Sequence, residues 1–206
     1  MTTVTRADQK VILYGVSWET YQRLVDEHHG RGTRFTYNAG DLEIKVLSAR
    51  HERPSRSLEY LVNILAEELD LDVVQVGSTT FQREDLKKGF EPDSSHYFTL
   101  ARELEGRELD PATDPPPDLI IEVDVTSPSL PRFPIYAAFG VPEIWRYDGK
   151  NVAMYRLEGG RYVEMSSSIA IPPLNAEVAT RFMEERPKTR NLDWVRQVRQ
   201  WAREQR

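Results

Sequence analysis

One stretch constrains this chain more than any other: Asp118-Leu-Ile-Ile-Glu-Val-Asp-Val125, entered through the proline-rich run Asp110–Pro117. The prolines exclude a helix on the way in. A short, near-continuous apolar run then reads as a central strand covered on both faces. Side chains alternate along a strand, so Asp118, Ile120, Glu122 and Asp124 point one way and Leu119, Ile121, Val123 and Val125 the other. Two carboxylates on one face of a buried strand each cost roughly several kcal/mol of desolvation when unpaired. Either a divalent cation held by hard oxygen ligands or basic partners would relieve that cost.

The flanking sequence supplies the layers such a strand needs. Ser17 to Glu27 reads as a helix with Ser17 as its cap and Trp18, Tyr21, Leu24 and Val25 at helical spacing. Phe35 and Tyr37, the turn Asn38-Ala39-Gly40, and Asp41 to Leu47 read as a hairpin. In its second strand Glu43 and Lys45 share the polar face. Ser55 to Leu69 carries the broadest apolar stripe, preceded by His51. Ser78 to Gln82 reads as a strand and Glu84 to Gly89 as a charged loop. Ser127 or Ser129 is positioned to cap a helix ending at Phe139, with Gly140 as its left-handed stop. Val141–Tyr147, Val152–Leu157 and Tyr162–Met165 read as a meander, and Leu192–Trp201 as a closing amphipathic helix. The order implies an α/β (α+β) layered fold with a mixed central sheet flanked by helices and an antiparallel C-terminal meander.

Length and composition set the limits. The chain has 206 residues, no cysteine and a formal charge of −6. That length suits one domain of residues 17–175 with an N-terminal extension (1–16) and a basic helical C-terminal extension (176–206). The absence of cysteine removes disulfides, zinc–thiolate sites and a thiol nucleophile. No apolar run approaches the ~18 residues of a membrane span, and no apolar leader opens the sequence, so a cytoplasmic protein is expected. The charge is uneven: Phe182 to Arg206 holds seven basic residues against four acidic ones. Overall acidity counts against general binding to phosphate backbones. There is no GxxxxGK[ST], GxGxxG, GxSxG or HExxH, and no histidine pair spaced for zinc.

Several motifs occur in a telling order: Leu42-Glu43-Ile44, His51, Glu91-Pro92-Asp93, Pro117-Asp-Leu-Ile-Ile-Glu-Val123, Thr126-Ser-Pro-Ser129 and Gly140-Val-Pro-Glu-Ile-Trp-Arg-Tyr-Asp148. Together they resemble a large bacterial family of restriction-endonuclease-like proteins, formerly a domain of unknown function, built on the PD-(D/E)XK core. The resemblance runs from about Ser17 to Pro173. It implies that Asp93 and Glu122 bind a metal ion, Mg²⁺ or Mn²⁺, and that Glu43 helps hold the ion or its water. Asp124 stands where the usual lysine would, and Arg132, on the following helix, is the nearest replacement. His51 matches a helix-start histidine of the family. Lys45, His51 and Arg132 are the candidate substrate contacts.

Arginine stays charged and cannot act as a base, so the substitution separates two expectations. One is a Mg²⁺-dependent endonuclease that hydrolyses DNA, with phosphate contacts from Lys45, Arg132 and the basic tail. The other is a catalytically inactive nuclease fold kept as an interaction module, a homodimer paired through an aromatic meander surface of Trp145, Tyr147, Tyr155 and Tyr162. In that case Arg132 serves as counter-ion to Glu122 or Asp124.

Overall fold

The computed structural model of the chain describes residues 9–28, 32–46, 49–124 and 130–206, without the side chains of 49–51. The elements run β1 (Gln9–Leu13), α1 (Trp18–His28), β2 (Thr33–Asn38), β3 (Asp41–Val46), α2 (Ala49–Leu69), β4 (Val74–Gln75), β5 (Phe81–Arg83), β6 (Lys88–Phe90), β7 (Ser94–Tyr97), α3 (Ala101–Leu104), β8 (Leu119–Val123), α4 (Phe133–Phe139), β9 (Glu143–Tyr147), β10 (Val152–Glu158), β11 (Arg161–Met165), α5 (Ala176–Glu185) and α6 (Asn191–Arg203). They form two sheets. The first has five antiparallel strands in the order β1-β3-β2-β6-β5; the second has six in the order β11-β10-β9-β8-β7-β4. In the second sheet β8 and β9 are parallel, joined across α4, and the remaining pairs are antiparallel.

β8 is buried on both faces, as its apolar run requires. Leu119, Ile121 and Val123 meet Leu58, Leu61, Val62 and Leu65 of α2, together with Trp194 and Val198 of α6. Ile120 faces the opposite way, into Phe81, Phe90, Ile135 and Tyr136. A smaller core of Trp18, Tyr21, Val25, Phe35, Tyr37 and Leu42 lies between α1 and the first sheet. Leu42 therefore turns its neighbour Glu43 to the other side of that sheet, towards β8. The β2–β3 turn places Ala39 at φ 48° and Gly40 at φ 108°, the left-handed pair of a tight hairpin.

Several expectations are corrected. The long helix begins at Ala49, so His51 lies within its first turn rather than ahead of it, and Pro54 sits inside the helix. Of the expected 78–82 strand only Phe81 and Gln82 are extended, in a strand that runs on to Arg83, and the charged loop shrinks to a turn before β6. The helix ending at Phe139 starts at Phe133 with Arg132 at its N-cap position and no side-chain cap; Ser127 and Ser129 lie outside the described residues. Gly140 closes it at φ 80°, as expected.

Two segments read as extensions join the same packing: β1 pairs along β3, and α6 packs on α2. Arg199 and Arg203 pair with Glu68, and Arg199 also with Glu67. Of the expected aromatic meander surface, Tyr155 and Tyr162 are half-buried and only they reach the outside. Trp145 and Tyr147 are buried in the core, and Tyr155 and Tyr162 pack on Phe133. Among the described residues no helix is long and apolar enough to cross a membrane.

Candidate active site

The two sheets and α4 converge on one cleft of about 300 Å³, lined by Lys45, Glu122, Asp124, Arg132, Tyr136 and Arg146 among others. Lys45 lines it from β3, and Glu43, fully buried on the same strand, is tied to it through Arg132. Glu122 reaches it from β8 at 7 % exposure. The pairing of Glu122 with Arg146 across β8 and β9 puts both on the cleft face.

Arg132 organises the acids. Its Nη1 donates to Glu122 Oε2 at 2.6 Å and its Nη2 to Glu43 Oε1 at 3.2 Å. The backbone N–H of Leu130 donates to the second Glu43 oxygen at 2.9 Å. The Tyr136 hydroxyl donates to Glu122 Oε1. Among the described residues Arg132 Nε has no hydrogen-bond partner. Of the two counter-ion assignments open for Arg132, the structure realises Glu122 and adds Glu43; Asp124 instead pairs with Arg146 at 2.9 Å on the rim.

Asp93 arrives by a different route. β7 pairs with β8 only as far as Ser94 opposite Ile121. The Asp93 carboxylate then continues the ladder, accepting from the Val123 N–H at 2.7 Å. That contact holds Asp93 next to Glu122 along β8. Asp118, at the other end of the strand, plays no part in the cleft: it accepts from the N–H groups of Phe98 and Thr99. The His51 side chain lies outside the described residues.

The electrostatics follow from burial. Desolvation pushes the Glu122 carboxyl above its ordinary range; Arg132 opposes that push, and Asp93 adds to it. Desolvation works against the charge of Arg132 too, but the surrounding acids outweigh it and raise its pKa further. The Tyr136 hydroxyl is raised by burial and by Glu122, so it stays a donor.

Among the described residues no three His, Asp or Glu side chains stand together as a ready cage for a metal ion. The donor chemistry of Glu43, Asp93 and Glu122 nevertheless fits a hard divalent cation. In the structure the positive charge between Glu43 and Glu122 is the guanidinium.

Tyr136 is the site residue that sequence reasoning missed, although a signal existed: it lies one helical turn beyond Arg132, and its N–H donates to the Arg132 carbonyl. Glu143, at the heart of the Gly140–Asp148 motif, belongs elsewhere. It is buried and accepts from Trp145 Nε1 at 2.6 Å and from the N–H groups of Ile169 and Ala170 at 2.9 and 2.8 Å. Its role is to anchor the loop after the meander.

A mixed sheet flanked by helices, with acids gathered from two sheets around its parallel strand pair, is consistent with a restriction-endonuclease-like fold. The chain belongs to the Uma2 family, described as "Putative restriction endonuclease", whose profile matches residues 18–179. No curated protein matches it.

Proposed function

We propose that this protein is a Mg²⁺- or Mn²⁺-dependent endonuclease that hydrolyses DNA phosphodiester bonds. The observation that supports this reading is the Arg132 bridge between Glu43 and Glu122, which come from separate sheets, with Asp93 held at the N–H of Val123, the residue after Glu122. Asp93 and Glu122 would hold the ion, and Glu43 its water shell. The ion, when bound, supplies a water of lowered pKa and neutralises phosphate charge. Arg132 is no base, because guanidinium keeps its proton. Its role is electrostatic: it neutralises the charge of a phosphate oxygen brought into the cleft. Tyr136 holds Glu122 in one orientation from the side away from Arg132. Lys45 lines the same cleft and adds positive potential.

Two measurements test the reading together: the melting temperature with millimolar Mn²⁺ or Mg²⁺, and cleavage of duplex, single-stranded and branched DNA. Both responses are expected in the wild type, and both are expected to vanish in Asp93→Asn and Glu122→Gln. A wild-type protein showing neither response overturns the proposal.

One observation favours a second reading. Arg132 already compensates Glu43 and Glu122, which is what a nuclease fold kept for assembly needs. On that reading the protein is a homodimer indifferent to divalent ions; a monomeric solution mass together with a metal-induced shift excludes it.

A further inference from the structure

A second concave site lies at the same end of the β8–β9 pair but on the opposite face of the sheet. Val123 and Tyr147 are register partners whose side chains pack in the core with α2 and α6, whereas Glu122 and Arg146, one residue earlier, line the cleft. Beneath Tyr147 opens a pocket of about 580 Å³, bounded by the first turns of α2, the end of β9 and the end of α5. Its walls are Tyr147, Met183 and Pro187, and its charged groups are Arg53, Arg56, Arg186 and Glu52.

The arginines differ in how they are compensated. Arg56 is paired with Glu59 at 2.9 Å and lies 3.8 Å from Glu52. Arg186 lies over the Trp194 ring, 4.9 Å from its centroid, and its Nε–H is buried with no acceptor among the described residues. Arg53 is exposed on α2. Among the described residues neither Arg53 nor Arg186 has a carboxylate partner. Stacking thus fixes the Arg186 guanidinium without neutralising it. A fixed, uncompensated guanidinium beside a second one suits the tetrahedral, multiply accepting oxygens of a phosphate. The opposing acids are Glu52 on the rim, and Asp148 and Glu184, which both act on Tyr147.

We propose that this pocket is a phosphate-binding subsite for a nucleic-acid strand, in which Arg53 and Arg186 grip one backbone phosphate. It rests on the endonuclease reading for the identity of the strand. A strand crossing the carboxyl ends of β8 and β9 meets the acidic cleft on one side of the sheet and this pocket on the other. Ligands of open α/β sheets gather at those strand ends. The pocket would supply register and hold, and the acidic cleft the reaction.

The test uses the full chain in chelator, so that no cleavage is required. Millimolar pyrophosphate is expected to raise the melting temperature of the wild type and of Arg161→Gln, an exposed arginine on β11 far along the sheet. The shift is expected to be lost in Arg53→Gln/Arg186→Gln and reduced in Arg53→Gln alone. That single variant protects the test if loss of the Trp194 stack unfolds the double variant. Duplex binding followed by anisotropy against salt is expected to give a log K versus log[salt] slope shallower by about 0.9 in the double variant, the loss of one phosphate contact. A pyrophosphate shift that survives Arg53→Gln undiminished, an unchanged slope, or a wild type that binds no DNA overturns the subsite. A wild type that shows both effects yet cleaves no DNA with Mg²⁺ or Mn²⁺ overturns the endonuclease reading and leaves the subsite standing.

Discussion

Arg132 Nη1 lies 2.6 Å from Glu122 Oε2, and both side chains are nine-tenths buried. Removing one partner of such a pair strands the other's charge, which costs about 3–5 kcal/mol. Arg132 also serves Glu43, so Arg132→Met strips two acids of the cation that bridges them and leaves Lys45 to act on Glu122. The variant is expected to lose at least that much stability at neutral pH by denaturant titration. Part of the loss is expected to return with millimolar Mn²⁺, which would take over the positive charge. A variant as stable as the wild type would mean that the acids are compensated elsewhere.

Tyr136→Phe keeps the ring between Phe90 and the cleft and deletes only the hydroxyl that holds Glu122. A hydrogen bond to a charged group is worth about 1.5–3 kcal/mol. The loss is expected within that range, with a wild-type circular dichroism spectrum. Metal affinity is expected to change as well, because Glu122 is then held on one side alone. Titration of the folded variant with Mn²⁺, followed by its melting temperature, reads this directly.

Glu143→Gln separates a structural acid from a chemical one. The amide carbonyl can still accept, but it offers weaker acceptance to Trp145 and the two backbone N–H groups and brings an NH₂ that has to find room. A destabilisation of about 1–3 kcal/mol is expected, with cleavage per folded molecule unchanged at a temperature where the variant is folded. Loss of cleavage in the folded variant would place Glu143 in the chemistry.

His96 gives a prediction in pH. It is fully buried on β7, one ring nitrogen 3.1 Å from Gln75 Nε2, and burial lowers its pKa from 6.5 to about 3. The folded state therefore keeps it neutral where the unfolded chain takes up a proton. Above pH 6.5 the group contributes no slope. Between 6.5 and about 3 it removes roughly 1.4 kcal/mol of stability per pH unit. Urea midpoints measured from pH 8 to 4 are expected to fall more steeply for the wild type than for His96→Gln. Parallel curves would show that His96 is solvated.

Much of this arrangement was legible beforehand because it rests on periodicity. β8, the apolar stripe of α2 and the C-terminal meander all announce themselves by the spacing of apolar residues, and alternation alone places Glu43 with Lys45 and Glu122 opposite Val123. β7 was not legible: its residues are Ser94-Ser-His-Tyr97, all buried, and polar side chains in a covered strand leave no hydropathic trace. The start of α2 was hidden by Pro54, which reads as a boundary although the helix runs through it. α5 had a cap in Asn175, whose side chain accepts from the Val178 N–H, and Phe182 and Met183 face the core; that signal was present and passed over. At the site, resemblance named the acids, but only side-chain geometry shows the Arg132 bridge and the Tyr136 donor.

Glu43 rides on one sheet and Glu122 on the other, with the guanidinium as the clasp between them. The cleft is thus a vernier between two slabs of the molecule. A slip of a single ångström at their seam would open that clasp while leaving every strand ladder intact, so the chemistry would fail long before the architecture did.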